Sequence, residues 1–223
     1  MKTETLQFET ANGSTTAYVA APDNAGDTKG TVIVIQEWWG LNDHIKGIAS
    51  RYAAEGFRAV APDLYRGRLA ANPTEAGEMM NALKTEDGID TIKNAVAKVR
   101  ETYGAEKFAI TGFCMGGTFA LRAACELDDF AAAAPFYGDV PPEDVLKNLK
   151  TPVRFFAGNK DAWINPQKVA ELKLIALKYN LPVETFSYDA DHAFFNNTRP
   201  EVFDPAAAHD AWQKVLELFR TQL

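Results

Sequence analysis

Cys114 lies in Gly112-Phe113-Cys114-Met115-Gly116-Gly117, directly after the apolar run Phe108-Ala109-Ile110 and directly before the helix-forming stretch that starts at Thr118. A glycine two residues to either side permits a strand-to-helix turn too tight for a Cβ, with the central residue held strained. That is a nucleophile elbow carrying sulfur. It sets the thiol at a helix N-terminus, where the dipole and unpaired N–H groups favour a thiolate and, later in a reaction, an oxyanion. Taken alone, the motif also fits an inert cysteine buried between glycines. Asp161 and His192 follow later in the chain, so a nucleophile, an acid and a base all occur, in that order.

A free thiol is mostly protonated at neutral pH and the thiolate is what attacks, so Cys114 needs a base. His192 would take that proton and return one to the leaving alcohol, while Asp161 would fix the imidazole tautomer and stabilise the imidazolium. Asp63, Asp139, Asp189 and Asp191 compete for the acid's place, and each also suits a turn. Asp63 is expected to tie a loop through its carboxylate. Solvated helix positions account for His44 and His209. The backbone N–H groups of Met115 and Trp38 are the oxyanion-hole candidates, one after the nucleophile and one from an earlier loop. Trp38, Trp39, Tyr137, Trp163 and Phe194 offer walls for an apolar pocket, although large aromatics also serve as core.

Short apolar runs alternating with helical patterns position these residues and indicate an α/β fold, a mostly parallel central sheet with helices on both faces. Strands are expected at 4–9, 14–20, 31–36, 58–61, 106–111, 130–136, 152–157 and 183–188. The first two alternate polar and apolar residues as an antiparallel hairpin around Asn12-Gly13, and the others are expected to be buried. Ile89, Ile92, Val96, Val99 and Tyr103 form one apolar helical stripe, and Trp212, Val215, Leu216 and Phe219 another. Asn72-Pro73, Asn165-Pro166 and Asp204-Pro205 announce three helix starts, and Asn72 with Glu75 has capping-box spacing. Ligands of open parallel sheets bind at the carboxyl ends of the strands. Glu37, Asp63, Cys114, Tyr137, Asp161 and His192 all lie there.

With 223 residues, 47% of them hydrophobic, the chain fits a single domain over 1–223. No apolar segment has the length of a signal peptide or a membrane span, so a soluble, cytoplasmic protein is expected. A net charge of −7 with scattered basic residues argues against nucleic acid and anionic membrane as partners. Any anionic substrate must then be met by local cations. The two cysteines make no disulfide framework. If Cys125 shares the helix that Cys114 opens, eleven residues separate them by roughly 16 Å, beyond bridging distance.

Gln36-Glu37-Trp38-Trp39-Gly40-Leu41-Asn42, Ala61-Pro62-Asp63-Leu64-Tyr65, Gly112-Phe113-Cys114-Met115-Gly116-Gly117, Gly158-Asn159-Lys160-Asp161 and Asp191-His192-Ala193-Phe194-Phe195 together resemble the dienelactone hydrolase family of α/β-hydrolases over nearly the whole chain. The order nucleophile, acid, base is the one expected of that fold. The resemblance implies hydrolysis of a small-molecule ester or lactone through Cys114, His192 and Asp161, by a monomer or homodimer, with no metal or organic cofactor. It also implies that Glu37 contacts the resting thiol and helps deprotonate it when substrate arrives. The plainer reading makes Glu37 a loop carboxylate capping the helix near Asp43. In the family's founding activity two arginines hold a dienelactone carboxylate, one after the fourth strand and one four residues after the histidine. Here Arg66 and Arg68 are available in the first region, while Asn196 stands four residues after His192 and the nearest arginine is Arg199.

Two rivals share the elbow. A glutamine amidotransferase would want a His-x-Glu pair, which His192-Ala193-Phe194 lacks. A cysteine redox sensor would want a resolving thiol nearby, and Cys125 is expected too far off. A cysteine amidase or esterase of other specificity is the remaining alternative.

Overall fold

The hairpin expected at the start is formed by β1 (Lys2–Thr10) and β2 (Gly13–Ala21), paired from Lys2↔Ala21 to Thr10↔Gly13. Gly13 turns it at φ +106°, where a residue without Cβ is unstrained. Six strands follow: β3 (Thr31–Ile35), β4 (Arg58–Pro62), β5 (Phe108–Phe113), β6 (Phe130–Phe136), β7 (Val153–Gly158) and β8 (Val183–Tyr188). All eight expected strands are present within a few residues of their bounds. The computed structural model describes residues 1–24, 28–105 and 107–223, so the strand start placed at Glu106 lies outside the described residues.

The sheet order is β1-β2-β4-β3-β5-β6-β7-β8, antiparallel from β1 to β4 and parallel across the rest. Side chains of β3 split by the strand period of two: Val32 and Val34 enter one core, Ile33 and Ile35 the other. The first core is closed by α1 (Asp43–Ala54) and α7 (Pro205–Gln222), where Tyr52 and Trp212 rings lie 4.5 Å apart. The second is closed by α3 (Thr85–Tyr103), α4 (Met115–Glu126) and α6 (Pro166–Tyr179), through Ile92, Val96, Leu121 and Leu172. The short helices α2 (Pro73–Ala82) and α5 (Glu143–Leu146) complete the set. One expectation fails: β8 is not buried but ends the sheet, with Glu184 and Ser187 exposed. No helix among the described residues is long and apolar enough to cross a membrane.

All three announced helix starts are capped. Asn72 accepts from the Glu75 N–H at 3.0 Å, Asn165 from the Lys168 N–H at 3.1 Å, and Asp204 from Ala206 and Ala207, each with proline inside the first turn. Glu75 reaches back to the N–H of Ala71 rather than of Asn72, a capping box shifted by one residue.

The β5–α4 turn is the tightest approach in the fold. A Cβ on Gly112 would stand 2.1 Å from the Gly116 carbonyl oxygen, and one on Gly116 would stand 2.3 Å from that of Ile35. Gly116→Ala should therefore cost about 3 kcal/mol or more, because the obstacle is backbone. Gly47→Ala, on the exposed face of α1 with nothing within 4 Å, should stabilise by about 0.5–1 kcal/mol. Urea unfolding of both variants checks the contrast; a mild Gly116→Ala would mean that the turn can open.

Candidate active site

The loops at the carboxyl ends of five adjacent parallel strands meet over the elbow: Glu37 follows β3, Cys114 β5, Tyr137 β6, Asp161 β7 and His192 β8. Cys114 holds φ +56° and ψ −118°, and Tyr137 and Ala193 also have positive φ, at +36° and +64°. Such backbone costs on the order of 1–3 kcal/mol per residue and persists only where packing enforces it.

Asp161 is buried, and its Oδ1 accepts the N–H groups of Trp163 at 2.8 Å and Ile164 at 2.9 Å. Its Oδ2 lies 2.6 Å from His192 Nδ1. Burial works against the carboxylate's charge, but the hydrogen bond and charge of His192, with those two N–H groups, hold its pKa below the usual value. With Nδ1 engaged, Nε2 is the nitrogen left, buried and without a hydrogen-bond partner among the described residues. Tyr137 and Trp163 flank the imidazole edge-on, each with ring centroids 5.0 Å away.

At Cys114 burial outweighs the helix N-terminus. Desolvation, followed by the negative charge of Glu37, pushes the thiol up to about 12, against the lowering effect of the Met115 N–H. The thiolate expected from the helix dipole is thus not the resting form. Glu37 is itself buried; desolvation raises its pKa to about 7, opposed by the Asn196 amide and the charge of Arg199. Asn196 Nδ2 donates to Glu37 Oε2 at 2.8 Å, and Oε1 is buried without a partner. Glu37 does not cap α1, because Asn42 does so by accepting the Ile45 N–H at 3.2 Å. No hydrogen bond joins Glu37 to Cys114 among the described residues.

Cys114 and His192 line one cavity of about 620 Å³, together with Trp38, Met115, Tyr137 and Trp163. Trp38 packs edge-on against both Trp39 and Trp163, at 5.2 and 5.9 Å, and Trp163 is 57% exposed at the mouth. Phe194 is not a wall: it is fully buried beneath Tyr137, at 5.4 Å, and belongs to the core. Nor do the arginines reach in. Arg66 and Arg68 line a separate cavity of about 170 Å³, with Arg66 bonded to Thr10 Oγ1 at 3.0 Å. Arg199 is held by Glu201 at 2.8 Å and stands outside the lining. Asp63 ties its loop as expected, accepting the N–H groups of Tyr65 and Gly67 at 2.8 and 2.6 Å. His209 is exposed, but His44 is half-buried rather than solvated, and burial lowers its pKa to about 4. Cys114 and Cys125 are both free, at opposite ends of α4.

Several lining residues escaped the reading from sequence. Met80 and Leu83 come from the end of α2, Thr85 from the start of α3, and Thr118 and Phe119 from α4, with Asp139 and Lys168 opposite. Helix placement over the sheet brings them in, and the motifs at the strand ends do not encode it. Tyr65, assigned no role from the sequence, donates its hydroxyl to Met115 Sδ at 3.2 Å, one residue beyond Cys114.

The family model described as the dienelactone hydrolase family matches residues 15–223. A protein of Aquifex aeolicus, provisionally named a carboxymethylenebutenolidase, is 36% identical over 98% of both chains. Protein usf of Aquifex pyrophilus has the same identity and coverage. Among solved structures, a provisionally named dienelactone hydrolase from Klebsiella pneumoniae superposes with a TM-score of 0.89 at 27% identity, covering 98% of this chain and 99% of that one. A dienelactone hydrolase-like promiscuous phosphotriesterase from metagenomic libraries shares the fold, with a TM-score of 0.91 at 18% identity over 99% of this chain and 98% of that one.

The buried Glu37 carries a pH signature. With a pKa of about 7 folded against 4.5 free, it binds more protons in the folded state, so its contribution to stability is present below pH 4.5 and lost as pH rises through 7. Glu37→Gln keeps an acceptor for Asn196 without the charge. The variant should be more stable than the native protein by about 3 kcal/mol at pH 8, with the advantage vanishing by pH 4.5. Chemical denaturation at both pH values measures it, and a pH-independent difference would mean that Glu37 is paired while charged.

Proposed function

The chain belongs to the dienelactone hydrolase family and is a carboxylic ester or lactone hydrolase; we propose that it works through Cys114, His192 and Asp161 by way of a thioester acyl-enzyme. The observation that carries this reading is that Cys114 and His192 line one cavity while Asp161 occupies His192 Nδ1, leaving Nε2 to handle protons. His192 takes the thiol proton as sulfur attacks the carbonyl carbon. The resulting oxyanion meets the N–H groups of Met115 and Trp38. Collapse of that intermediate breaks the ester C–O bond, and His192 returns the proton to the leaving alcohol or ring oxygen. Water, deprotonated by His192, then attacks the thioester and releases the acid and the thiol. Glu37, the second carboxylate bearing on the thiol, is its auxiliary base.

Cys114→Ala and His192→Ala should each lower kcat at least about a thousandfold, and the double variant should be no worse, because residues that act as a unit do not add. Asp161→Asn should cripple turnover while leaving the fold intact. Steady-state kinetics on aryl esters tests all three, and near-normal turnover in any one rejects its assigned role.

Resting chemistry gives an independent check. Since burial and Glu37 hold the thiol protonated, iodoacetamide should label Cys114 slowly at pH 7 and ever faster through pH 9, with no plateau. A rate that levels off below pH 7 would reveal a resting thiolate and contradict this account.

A further inference from the structure

Lys168 is the one lysine or arginine lining the cavity among the described residues, and it is already engaged: its Nζ lies 2.6 Å from Asp139 Oδ1, which lines the same cavity. The backbones of both partners are anchored, while the side chains of Lys168 and Asp139 remain 37% and 53% exposed. The N–H of Asp139 donates to Thr118 Oγ1 at 2.8 Å, and the N–H of Thr118 donates to the Cys114 carbonyl at 3.1 Å, so the acid is tethered to the first turn of the elbow helix. The N–H of Lys168 donates to the Asn165 cap at the start of α6. The pair therefore bridges the β6 loop and α6 across the wall facing the nucleophile.

We propose that this ion pair determines the charge of the substrate: Asp139 neutralises Lys168, and the site takes uncharged esters or lactones bearing an aromatic or branched apolar group. The proposal rests on the hydrolase reading above and adds the substrate class. The rest of the lining fits such a group, since Trp38, Met80, Leu83, Phe119, Trp163 and Ile164 present apolar surface. The neighbouring field fits too. Glu37 and Asp161 place carboxylates near the nucleophile and the base, opposed by the charge of Arg199, and an anionic substrate would meet them with Lys168 already spent on Asp139. Of the arginines, Arg66 is bonded to Thr10 in the separate cavity and Arg199 to Glu201.

Asp139 is thus the specificity-determining residue, and removing its charge should release Lys168 toward the substrate. Asp139→Asn suits the test because the amide keeps the acceptor that receives the Val140 N–H at 2.9 Å. The probes are 4-nitrophenyl hexanoate and the mono-4-nitrophenyl ester of adipic acid, which share a leaving group and chain length and differ by a terminal carboxylate too far from the ester to expel the phenol itself. The native protein should favour the hexanoate in kcat/KM by about tenfold or more. Asp139→Asn should raise the adipate-to-hexanoate ratio about three- to tenfold, chiefly through KM, the modest size reflecting a pair in contact with solvent. High salt should erase that gain, and so should adding Lys168→Met.

A purely structural Asp139 would lower both rates together and leave the ratio unmoved, which would overturn the proposal. So would a native protein that prefers the adipate ester. Turnover of neither ester above the level of Cys114→Ala would reject the hydrolase reading itself, and the proposal with it. Should Asp139→Asn fail to fold, Lys168→Met alone decides: it should lower the ratio, and a rise or no change would overturn the assignment.

Discussion

Backbone meets backbone at the elbow, with no side chain between. A Cβ on Gly116 would strike the Ile35 carbonyl, one on Gly117 would lie 2.3 Å from that of Phe136, and one on Gly138 would lie 2.2 Å from the carbonyl carbon of Gly117. The loops after β3 and β6 are thereby clamped onto the β5–α4 turn more closely than side-chain packing allows. The strained φ of Cys114 follows from that clamp, and a cost of order 1–3 kcal/mol is tolerable because β3, β4 and β5 are buried along their whole lengths. The same clamp fixes the N–H groups of Trp38 and Met115 relative to the sulfur, and it sets Asp139 beside Thr118.

What the clamp exposes electrostatically, burial then takes back. A helix N-terminus lowers a thiol's pKa when water or a cation shares the site, but here the sulfur is desolvated and faces a buried carboxylate, and the balance moves upward. Glu37 is subject to the same desolvation, and its one amide partner, Asn196, offsets only part of it. Desolvation and that carboxylate together hold Cys114 as a thiol at rest. That suits a nucleophile that must survive oxidants between turnovers, because oxidation follows thiolate character. In the proposed reaction it also delays the creation of charge until His192 and the N–H groups of Met115 and Trp38 have something to stabilise.

Those parts of the molecule governed by local rules were legible in the sequence. Strand runs, glycine spacing and Asn-Pro or Asp-Pro caps are short-range signals, and the parallel topology carries Glu37, Cys114, Asp161 and His192 to one edge of the sheet whatever the helices do. The illegible parts depend on how helices lie and how loops turn. Arg66 and Arg68 follow β4 as a substrate arginine might, yet their loop turns them toward Thr10 and a separate cavity. Phe194 stands two residues from His192 but on the core side of the loop, where Ala193 reverses the chain at positive φ. Asn196 looked like a gap left by a missing cation. In the structure its amide is the partner of Glu37, and the signal was the need of a buried carboxylate for a donor.

Chemistry and selection therefore rest on different architecture. The proposed reacting groups sit on strand ends locked by backbone contact, where a single added methyl group is disruptive. Part of the cavity wall comes from the end of α2 (Met80, Leu83) and the starts of α3 (Thr85) and α6 (Lys168), which lie outside the clamp and can be resurfaced without disturbing it. Lys168 and Asp139 join the two systems, one on a helix and the other tied through Thr118 to the elbow. If the pair sets the charge of the substrate as proposed, a change on its helix side alters what the cavity admits. Asp139 holds Thr118 through its backbone N–H, which a side-chain change keeps, so either partner can be altered while the helix that Cys114 opens stays anchored.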